Sequence, residues 1–124
     1  MESSVKSFHD LVAWQKSMEL VTETYKVSQK FPKEEIFGLT SQIRRAAVSI
    51  PSNIAEGRGK SSAGEFQQFL YHAKGSLAEV ETQIIIAINL GYLATEEVSH
   101  IMELIARVGR LLHGLLSAIK KTKP

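Results

Sequence analysis

The sequence contains no cysteine, so it cannot form a disulfide framework, a thiolate nucleophile or a zinc–thiolate site. The lack of cysteine also fits a reducing compartment, and we expect a cytoplasmic protein. Aromatic residues are scarce, at 7% of the 124 positions. Phe8 and Tyr92 are the candidates for exposed rings, so we expect base stacking to contribute little to any nucleic-acid contact.

Long hydrophobic runs are missing as well. The longest apolar stretch, 84–94, is interrupted by Asn89 and is too short to cross a bilayer. The opening residues, MESSVKSFHD, contain no apolar core of signal-peptide length. The net charge is only +2 and the pI is near 8.9, which is compatible with a polyanionic partner but does not indicate one. We therefore expect a soluble protein that does not contact a membrane.

The composition that remains is typical of one globular domain. Hydrophobic residues make up 44% of the chain and charged residues 23%, and a chain of this size can bury a single core. We predict one domain over residues 1–124, with a loose N-terminus at 1–7. The basic tail at 120–124 places lysines at the negative end of the last helix.

The first two helices are predicted from apolar residues that recur three and four positions apart. Helix one begins at an N-cap, Asp10, and runs to about Lys30 before Phe31-Pro32 ends it. A connector over 33–38 with one short turn leads to helix two, over 39–57. The predicted core-facing residues of helix one are Leu11, Trp14, Met18, Val21 and Tyr25. Those of helix two are Leu39, Ile43, Ala47, Ile50 and Ile54.

The last two helices are bounded by clear capping signals. Ser62 and Glu65 have the spacing of a capping box at the start of helix three, and Gly91 ends that helix. Thr95 is the predicted N-cap of helix four. The core-facing residues of helix three are Phe66, Leu70, Ala73, Leu77, Val80, Ile84 and Ala87. Those of helix four are Val98, Ile101, Ile105, Val108, Leu112, Leu115 and Ile119. Four helices with short connections predict an all-α, antiparallel up-down-up-down bundle.

Pro51 lies inside the apolar stripe of helix two. It has no N–H to donate to the carbonyl of Ala47, and its ring crowds that carbonyl, at a cost of about 3 kcal/mol in an exposed helix. We therefore predict a helix kink at Pro51 that packing holds in place, with Ile50 and Ile54 buried on either side.

The apolar residues of helices three and four extend beyond the core-facing stripes. The additional residues are Phe69, Ile85, Ile86, Ile88 and Leu90 on helix three and Met102, Leu104, Leu111 and Leu116 on helix four. They can be explained by a generous core or by a second buried face that mediates self-association.

Three patterns resemble chemical sites but lack the parts that the chemistry requires. Residues 57–61, GRGKS, end like a phosphate-binding loop, yet a helix precedes them instead of a strand. Glu97 and His100 have the Glu-x-x-His spacing of di-iron bundles, which need two such pairs and two further carboxylates. Ser49 and Ser52 are predicted on the face away from the apolar stripe, as local hydrogen-bonding residues. We predict no catalytic, cofactor-binding or metal-binding residue.

Basic residues give the best remaining signal. Arg45 projects opposite the core stripe of helix two, Arg44 lies on its shoulder, and Arg58 and Lys60 continue from its C-terminal end. Guanidinium groups suit phosphates with bidentate geometry. These four residues are the candidate contacts for a nucleic-acid backbone. A solvated helix surface, or arginines that bridge subunits, would explain the same pattern.

With these residues in hand, the chain resembles a small bacterial family of four-helix bundle proteins. Members of this family were first noticed as reading frames inside intervening sequences of large-subunit ribosomal RNA genes. The resemblance covers nearly the whole chain and depends on LVAWQK (11–16), FPKEE (31–35), GLTSQIRRAA (38–47), SIPSNIAEG (49–57), GSL (75–77), EVETQ (79–83) and LGYL (90–93).

The resemblance implies a homopentameric ring of antiparallel bundles without known enzymatic activity. Members are often labelled ribosomal proteins because of where their genes lie. A distant relative, the accessory protein of diversity-generating retroelements, forms a similar ring that binds nucleic acid and a reverse transcriptase. That relationship favours Arg44, Arg45, Arg58 and Lys60 as contacts. We therefore expect a non-catalytic, self-associating protein that contacts RNA or DNA through its arginine face. The alternative is an assembly or adaptor protein whose ring binds a protein partner only.

Overall fold

A computed structural model describes residues 7–122 as four helices joined by short connections. The helices are α1 (Val12–Ser28), α2 (Leu39–Arg58), α3 (Ala63–Asn89) and α4 (Ser99–Thr122). Three short 3-10 turns occur at Phe8–Asp10, Lys33–Glu35 and Thr95–Val98, and this part of the chain contains no strand. The predicted all-α four-helix bundle is confirmed.

Each helix packs against its neighbours in sequence, and α4 closes the bundle against α1. Contacts between helices show that neighbours run antiparallel. Ser76 of α3 contacts Ser49 of α2, and farther along the pair Gln83 contacts Gln42, so the residue number rises on one helix as it falls on the other. None of the helices within residues 7–122 combines the length and apolar character that a bilayer span requires.

The core stripes predicted for α2, α3 and α4 are confirmed almost throughout. All five predicted residues of α2 are buried, and on α3 and α4 only Phe66 and Leu115 are half-buried. The additional apolar residues divide between the core and the surface. Leu104 and Leu116 of α4 are buried, whereas Ile85, Ile86 and Leu90 of α3 are exposed. The broad apolar arc of α4 is therefore largely core, and that of α3 is largely surface.

The predicted core face of α1 is correct at Leu11, which is buried, and wrong at Met18 and Tyr25, which are exposed. Met18 and Tyr25 are 42% and 41% exposed, and Trp14 and Val21 are only half-buried. The buried residues of the helix are instead Ala13, Ser17, Leu20, Thr24, Val27 and Ser28. The hydroxyls of Ser17 and Thr24 donate to the carbonyls of Trp14 and Leu20, at 2.8 and 2.7 Å. Because their own helix satisfies these hydroxyls, the two polar residues can enter the core.

Capping at the ends of α3 agrees with the prediction. Ser62 Oγ accepts a hydrogen bond from the Glu65 N–H at 3.1 Å. Gly91 has φ 82°, and its N–H donates to the Ile88 carbonyl while the Tyr92 N–H donates to that of Ala87. This pair of bonds closes the helix end in the manner that a left-handed glycine allows.

Capping at the starts of α1 and α4 differs from the prediction. Asp10 lies in the turn Phe8–Asp10, and the N-cap position of α1 is Leu11. Thr95 does not cap α4, which begins only at Ser99 after its own short turn. In that turn Glu97 Oε1 accepts from the Ala94 N–H at 2.7 Å.

The connector between α1 and α2 is fastened by Glu35. Its carboxylate accepts from the Leu39 N–H at 2.9 Å and from the Tyr92 hydroxyl at 2.8 Å, which joins the start of α2 to the segment after α3. The bond from the Leu39 N–H and then that from Tyr92 lower the pKa of the Glu35 carboxyl. The hydrogen bond to the Glu35 carboxylate raises the pKa of Tyr92. The Tyr92 ring packs on Phe31, with 5.7 Å between centroids.

The helix α2 continues through Pro51, which is buried together with Ile50 and Ile54. Side chains reinforce the following turn, because Ser52 Oγ donates to the Val48 carbonyl and Asn53 Nδ2 to that of Ser49, both at 2.8 Å. The burial agrees with the prediction, and the kink itself stays a prediction.

The helix α2, predicted over 39–57, runs one residue further to Arg58, and Gly59 is its C-cap. Gly57 therefore does not end the helix. It is instead a buried contact with α3. A Cβ at this position would lie 2.6 Å from Phe69 Cβ, so only glycine lets the two helices approach this closely.

Two predicted terminal features fall mostly or partly outside the described residues. Residues 1–6 of the loose segment 1–7 lie outside them, whereas Ser7 accepts a hydrogen bond from the His9 N–H at 3.2 Å. Of the basic tail, residues 123–124 lie outside, and Lys120 and Lys121 belong to α4.

Candidate nucleic-acid interface

Arg44 is half-buried between α2 and α1. Its Nε donates to Ser28 Oγ at 2.8 Å and its Nη2 to the Tyr25 carbonyl at 3.4 Å, while its guanidinium lies 4.6 Å from the centre of the Tyr25 ring. Arg44 therefore fastens α2 to the C-terminal end of α1. Much of its hydrogen-bonding capacity is already used within the bundle.

Arg45 is exposed and projects about 100° away from Arg44 around α2. Its Nη2 donates to Ser41 Oγ at 2.7 Å, the one hydrogen bond that it makes among residues 7–122. A guanidinium carries five N–H donors in a planar fork, so most of the donors of Arg45 remain available to a ligand.

Arg45 borders a polar depression between α2 and α3, which we call the α2–α3 groove. The groove has a volume of about 530 Å³. Its lining residues are Phe37, Ser41, Gln42, Arg45, Ala46, Ser49, Ser76, Glu79 and Gln83. Gln83 Nε2 lies 3.5 Å from Gln42 Oε1, and Gln83 Oε1 is buried without a hydrogen-bond partner among the described residues.

Arg58 and Lys60 lie at the opposite end of α2 from Arg45. Thirteen residues separate Arg45 from Arg58, or about 20 Å of helix. Arg58 is half-buried, and Lys60 Nζ lies 5.4 Å from the centre of the Phe69 ring. The four predicted contact residues are thus distributed over three places: the α1–α2 junction, the α2–α3 groove and the end of α2. They do not form one arginine face.

The two serines near Arg45 differ in position. Ser52 is exposed, as predicted, but Ser49 is half-buried against α3. Ser49 Oγ accepts from Ser76 Oγ and from Asn53 Nδ2, both at 2.9 Å. The prediction that Ser49 lies on the outer face is therefore wrong, because α3 packs over that side of α2. No histidine, lysine or carboxylate is among the hydrogen-bond partners of this hydroxyl pair.

Glu97 is engaged in structural contacts. Besides accepting from the Ala94 N–H, its carboxylate pairs with Lys30, two residues after the end of α1. The hydrogen bond from Ala94 and then the pairing with Lys30 lower the pKa of Glu97. Across residues 7–122 no three histidine, aspartate or glutamate side chains are placed to hold a metal ion together.

Three exposed aromatic residues, Tyr25, Phe37 and Tyr71, were not predicted from the sequence, and Phe37 is the most exposed of them. Phe37 is 94% exposed at the edge of the α2–α3 groove, although it lies in the connector that Glu35 fastens. The two rings that the sequence suggested are less accessible. Phe8 is half-buried and stacks on His9, and Tyr92 is half-buried against Phe31. Hydropathy cannot distinguish an exposed phenylalanine from a core one.

A second basic surface was also missed. Lys16, Arg107 and Arg110 line a depression of about 380 Å³ between α1 and α4, together with Glu19 and Glu103. Lys16 pairs with Glu19 at 2.9 Å, whereas Arg107 and Arg110 have no hydrogen-bond or ion-pair partner within residues 7–122. The sequence does carry a signal for this surface, because α4 contains no acidic residue after Glu103.

Three of the residues expected in the core of α1 line an apolar depression between α1 and α2. They are Trp14, Met18 and Val21. The depression has a volume of about 300 Å³, and we call it the α1–α2 apolar face. Its residues are Trp14, Met18, Val21, Val48, Pro51, Ser52 and Ala55. An apolar surface of large side chains on a soluble bundle is a common feature of protein contact sites.

These observations define an all-α four-helix bundle whose surface carries the α2–α3 groove, a basic depression between α1 and α4, and the α1–α2 apolar face. The family model of the 23S rRNA-intervening sequence proteins matches residues 9–114. The chain therefore belongs to the 23S rRNA-intervening sequence protein family, and the resemblance seen in its sequence is confirmed.

A solved structure has the same fold. The crystal structure of a protein of unknown function from the S23 ribosomal protein family of Bacteroides thetaiotaomicron superposes with a TM-score of 0.77. The two chains are 23% identical, and the match covers 84% of this chain and 97% of the other. At this identity the likeness shows the bundle fold alone. A comparison with curated proteins found no match.

Proposed function

We propose that this protein is a non-catalytic, self-associating bundle that contacts the phosphate backbone of RNA or DNA. The observation that carries self-association is the α1–α2 apolar face. Met18 and Val48 are each more than two-fifths exposed, and together with the half-buried Trp14 and Val21 they expose apolar surface that a partner copy would remove from water. The family resemblance favours five copies in a ring.

The nucleic-acid part of the proposal is supported by Arg45 and by the family. Arg45 and Lys60 are the predicted contact residues that are exposed, and Arg45 keeps most of its donors uncommitted. The family is named for intervening sequences of 23S ribosomal RNA, which makes RNA the first polyanion to test. Arg44 and Arg58 are half-buried, so we assign them a smaller share of phosphate contact.

The adaptor alternative is favoured by the exposed residues of α3. Ile85, Ile86 and Leu90 add apolar surface far from the α1–α2 apolar face, and a protein partner could cover them. A protein that bound only such a partner would not retain RNA.

The test of self-association is the mass of the purified protein measured by light scattering after gel filtration. We expect several times 13.8 kDa, most simply five times. Val48→Asp places a charge in the α1–α2 apolar face and should reduce the mass to that of one chain. Ile85→Asp places the same charge on exposed α3 and should leave the mass unchanged. A parent protein that is monomeric at micromolar concentration would contradict the proposal, and dissociation by Ile85→Asp alone would move the interface to α3.

The test of nucleic-acid contact is the binding of the parent protein to labelled RNA at several salt concentrations. The logarithm of the affinity should fall linearly with the logarithm of the salt concentration, by about 0.7 to 0.9 for each phosphate neutralised. If the parent protein binds neither RNA nor DNA at low salt, the proposed nucleic-acid contact is wrong and the adaptor function replaces it.

A further inference from the structure

We propose that the α2–α3 groove binds one unstacked base of a single-stranded nucleic acid, with Phe37 as its stacking surface. This inference rests on the proposed contact with RNA or DNA and names the site and the form of the ligand. It differs from the expectation drawn from the sequence, in which stacking contributes little.

Phe37 is presented by a rigid turn. The Gly38 N–H donates to the Glu35 carbonyl at 2.9 Å, and the Leu39 N–H donates to the Glu35 carboxylate. The backbone on which Phe37 stands is thus fixed on its C-terminal side, while the ring itself is 94% exposed and stacks on no other ring among residues 7–122. A phenylalanine in this position contributes almost nothing to the core. Its faces are available to a base, which stacks on aromatic rings whatever its identity.

The interior of the groove has hydrogen-bonding groups for the edge of a base. Gln83 Oε1 is buried and lacks a donor among the described residues, and buried polar atoms are rarely left unpaired in native structures. Glu79 lines the same groove and is a second acceptor. Two acceptors suit a base that carries an amino group. Cytosine, adenine and guanine each carry an amino group. Uracil has a carbonyl oxygen at the position where cytosine has its amino group.

Arg45 supplies the positive charge at the rim of the groove. Its guanidinium lies on the α2 side, whereas Glu79 lies on the α3 side. This separation orients the ligand, because the phosphate is attracted to Arg45 and repelled by Glu79. The base is then directed toward Gln83, and the backbone remains at the surface. Duplex nucleic acid cannot present a base in this way, because its bases are stacked and paired.

The experiment is an anisotropy titration with fluorescein-labelled oligocytidine and oligouridine, each about ten nucleotides long. The two probes have equal charge and differ at the amino group of each base. We expect the parent protein to bind oligocytidine more tightly than oligouridine, and either more tightly than a hairpin duplex of equal charge. Phe37→Leu keeps an apolar side chain without the ring and should weaken binding of oligocytidine about 5- to 100-fold.

Two further variants separate the base edge from the phosphate. Gln83→Leu removes the unpaired acceptor and should abolish the preference for cytidine. Arg45→Gln should weaken both probes alike and reduce the salt slope by about 0.7. Arg107→Gln is the matched control, since it removes the same charge from the depression between α1 and α4, and it should change neither affinity nor preference. Thermal unfolding and mass are measured for every variant so that loss of fold or assembly is recognised.

The outcomes distinguish this inference from the proposed function. If Phe37→Leu binds as the parent does, or if duplex binds as well as single strand, the stacking site is refuted while backbone contact stands. If Arg107→Gln loses affinity and Arg45→Gln does not, the nucleic acid lies between α1 and α4, and the groove assignment is wrong. If the parent protein binds none of the probes at low salt, both proposals fail, and the groove becomes a protein contact site.

Discussion

Glu35 shows how one residue connects three parts of the bundle. Its carboxylate caps the start of α2 through Leu39 and holds the segment after α3 through Tyr92. Both hydrogen bonds favour the ionised carboxylate and lower its pKa. The sequence indicated only a connector over 33–38 with one short turn. It could not show the bond to Tyr92, because 57 residues separate the partners along the chain.

This arrangement predicts a pH dependence of stability. Because the pKa of Glu35 is lower in the folded state, its ionised form stabilises the fold above the unfolded-state pKa of about 4.3, and this stabilisation is lost as the pH falls through the lower folded-state value. Glu35→Gln should therefore be less stable than the parent near pH 7, and the difference should shrink below about pH 4. Urea unfolding at a series of pH values measures the free energy of unfolding for both.

Glu34→Gln is the control for this prediction. It removes the same charge from the neighbouring position, which makes no hydrogen bond among residues 7–122. Its difference from the parent should be small at every pH. A constant difference between Glu35→Gln and the parent from pH 7 to acid would show that the lowered pKa contributes no stability.

The predicted arginine face shows the limit of sequence analysis at the scale of residues. A helical projection placed Arg44 and Arg45 on adjacent parts of α2, and that was correct. It could not show that α1 approaches closely enough for Ser28 and Tyr25 to engage Arg44. Contacts between side chains on different helices depend on how the helices pack, and one helix's periodicity contains no such information.

At the scale of the element, the helices differ in how well their sequence predicted their orientation. The stripe of α2 was correct because all of its inward-facing residues except Thr40 are apolar. In α1 the same method failed because Ser17 and Thr24 are fully buried, and hydropathy assigns such residues to the surface. The apolar residues that seemed to be the core of α1, among them Trp14 and Met18, instead line the α1–α2 apolar face. The apolar residues of α1 that are not fully buried thus lie on the α1–α2 apolar face, which is the surface proposed for self-association.

Pro51 gives a test at this scale, because it belongs both to the core of α2 and to the α1–α2 apolar face. Pro51→Ala restores an N–H that can donate to the Ala47 carbonyl. The free energy of unfolding should rise by about 1 kcal/mol, the net contribution of one hydrogen bond. The mass of the assembly should fall with dilution sooner than that of the parent, because the variant removes the proline ring from the interface.

Thermal unfolding and light scattering on the same samples measure the two effects of Pro51→Ala. Ser52→Ala is the neighbouring control, since it removes the bond to the Val48 carbonyl and leaves the proline ring in place. If Pro51→Ala lowers stability, packing of the ring outweighs the missing hydrogen bond. If stability rises and assembly is unchanged, the bend at Pro51 is tolerated and does not shape the interface.

At the scale of the whole molecule, the proposed surfaces lie on different sides of the bundle. The α1–α2 apolar face lies on the side of α2 toward α1 and the α2–α3 groove on the side toward α3, and we expect a copy that associates through the first to leave the second open. An assembly would then carry one accessible α2–α3 groove on each of its subunits. A nucleic acid long enough to reach two grooves would bind the second at a high effective concentration.

The expected result is a dependence of affinity on length that requires assembly. The parent protein should bind a single strand of about 40 nucleotides more tightly than one of about ten nucleotides, by a factor of about 100. Val48→Asp, which should be monomeric, should bind the short strand as the parent does and lose most of the advantage of the long one. Ile85→Asp should bind the short strand as the parent does and should keep the advantage of the long strand. If Val48→Asp loses the short strand as well while remaining folded, the α1–α2 apolar face itself contacts nucleic acid. If the assembled parent shows no dependence on length, its grooves act singly, because one strand cannot reach two of them.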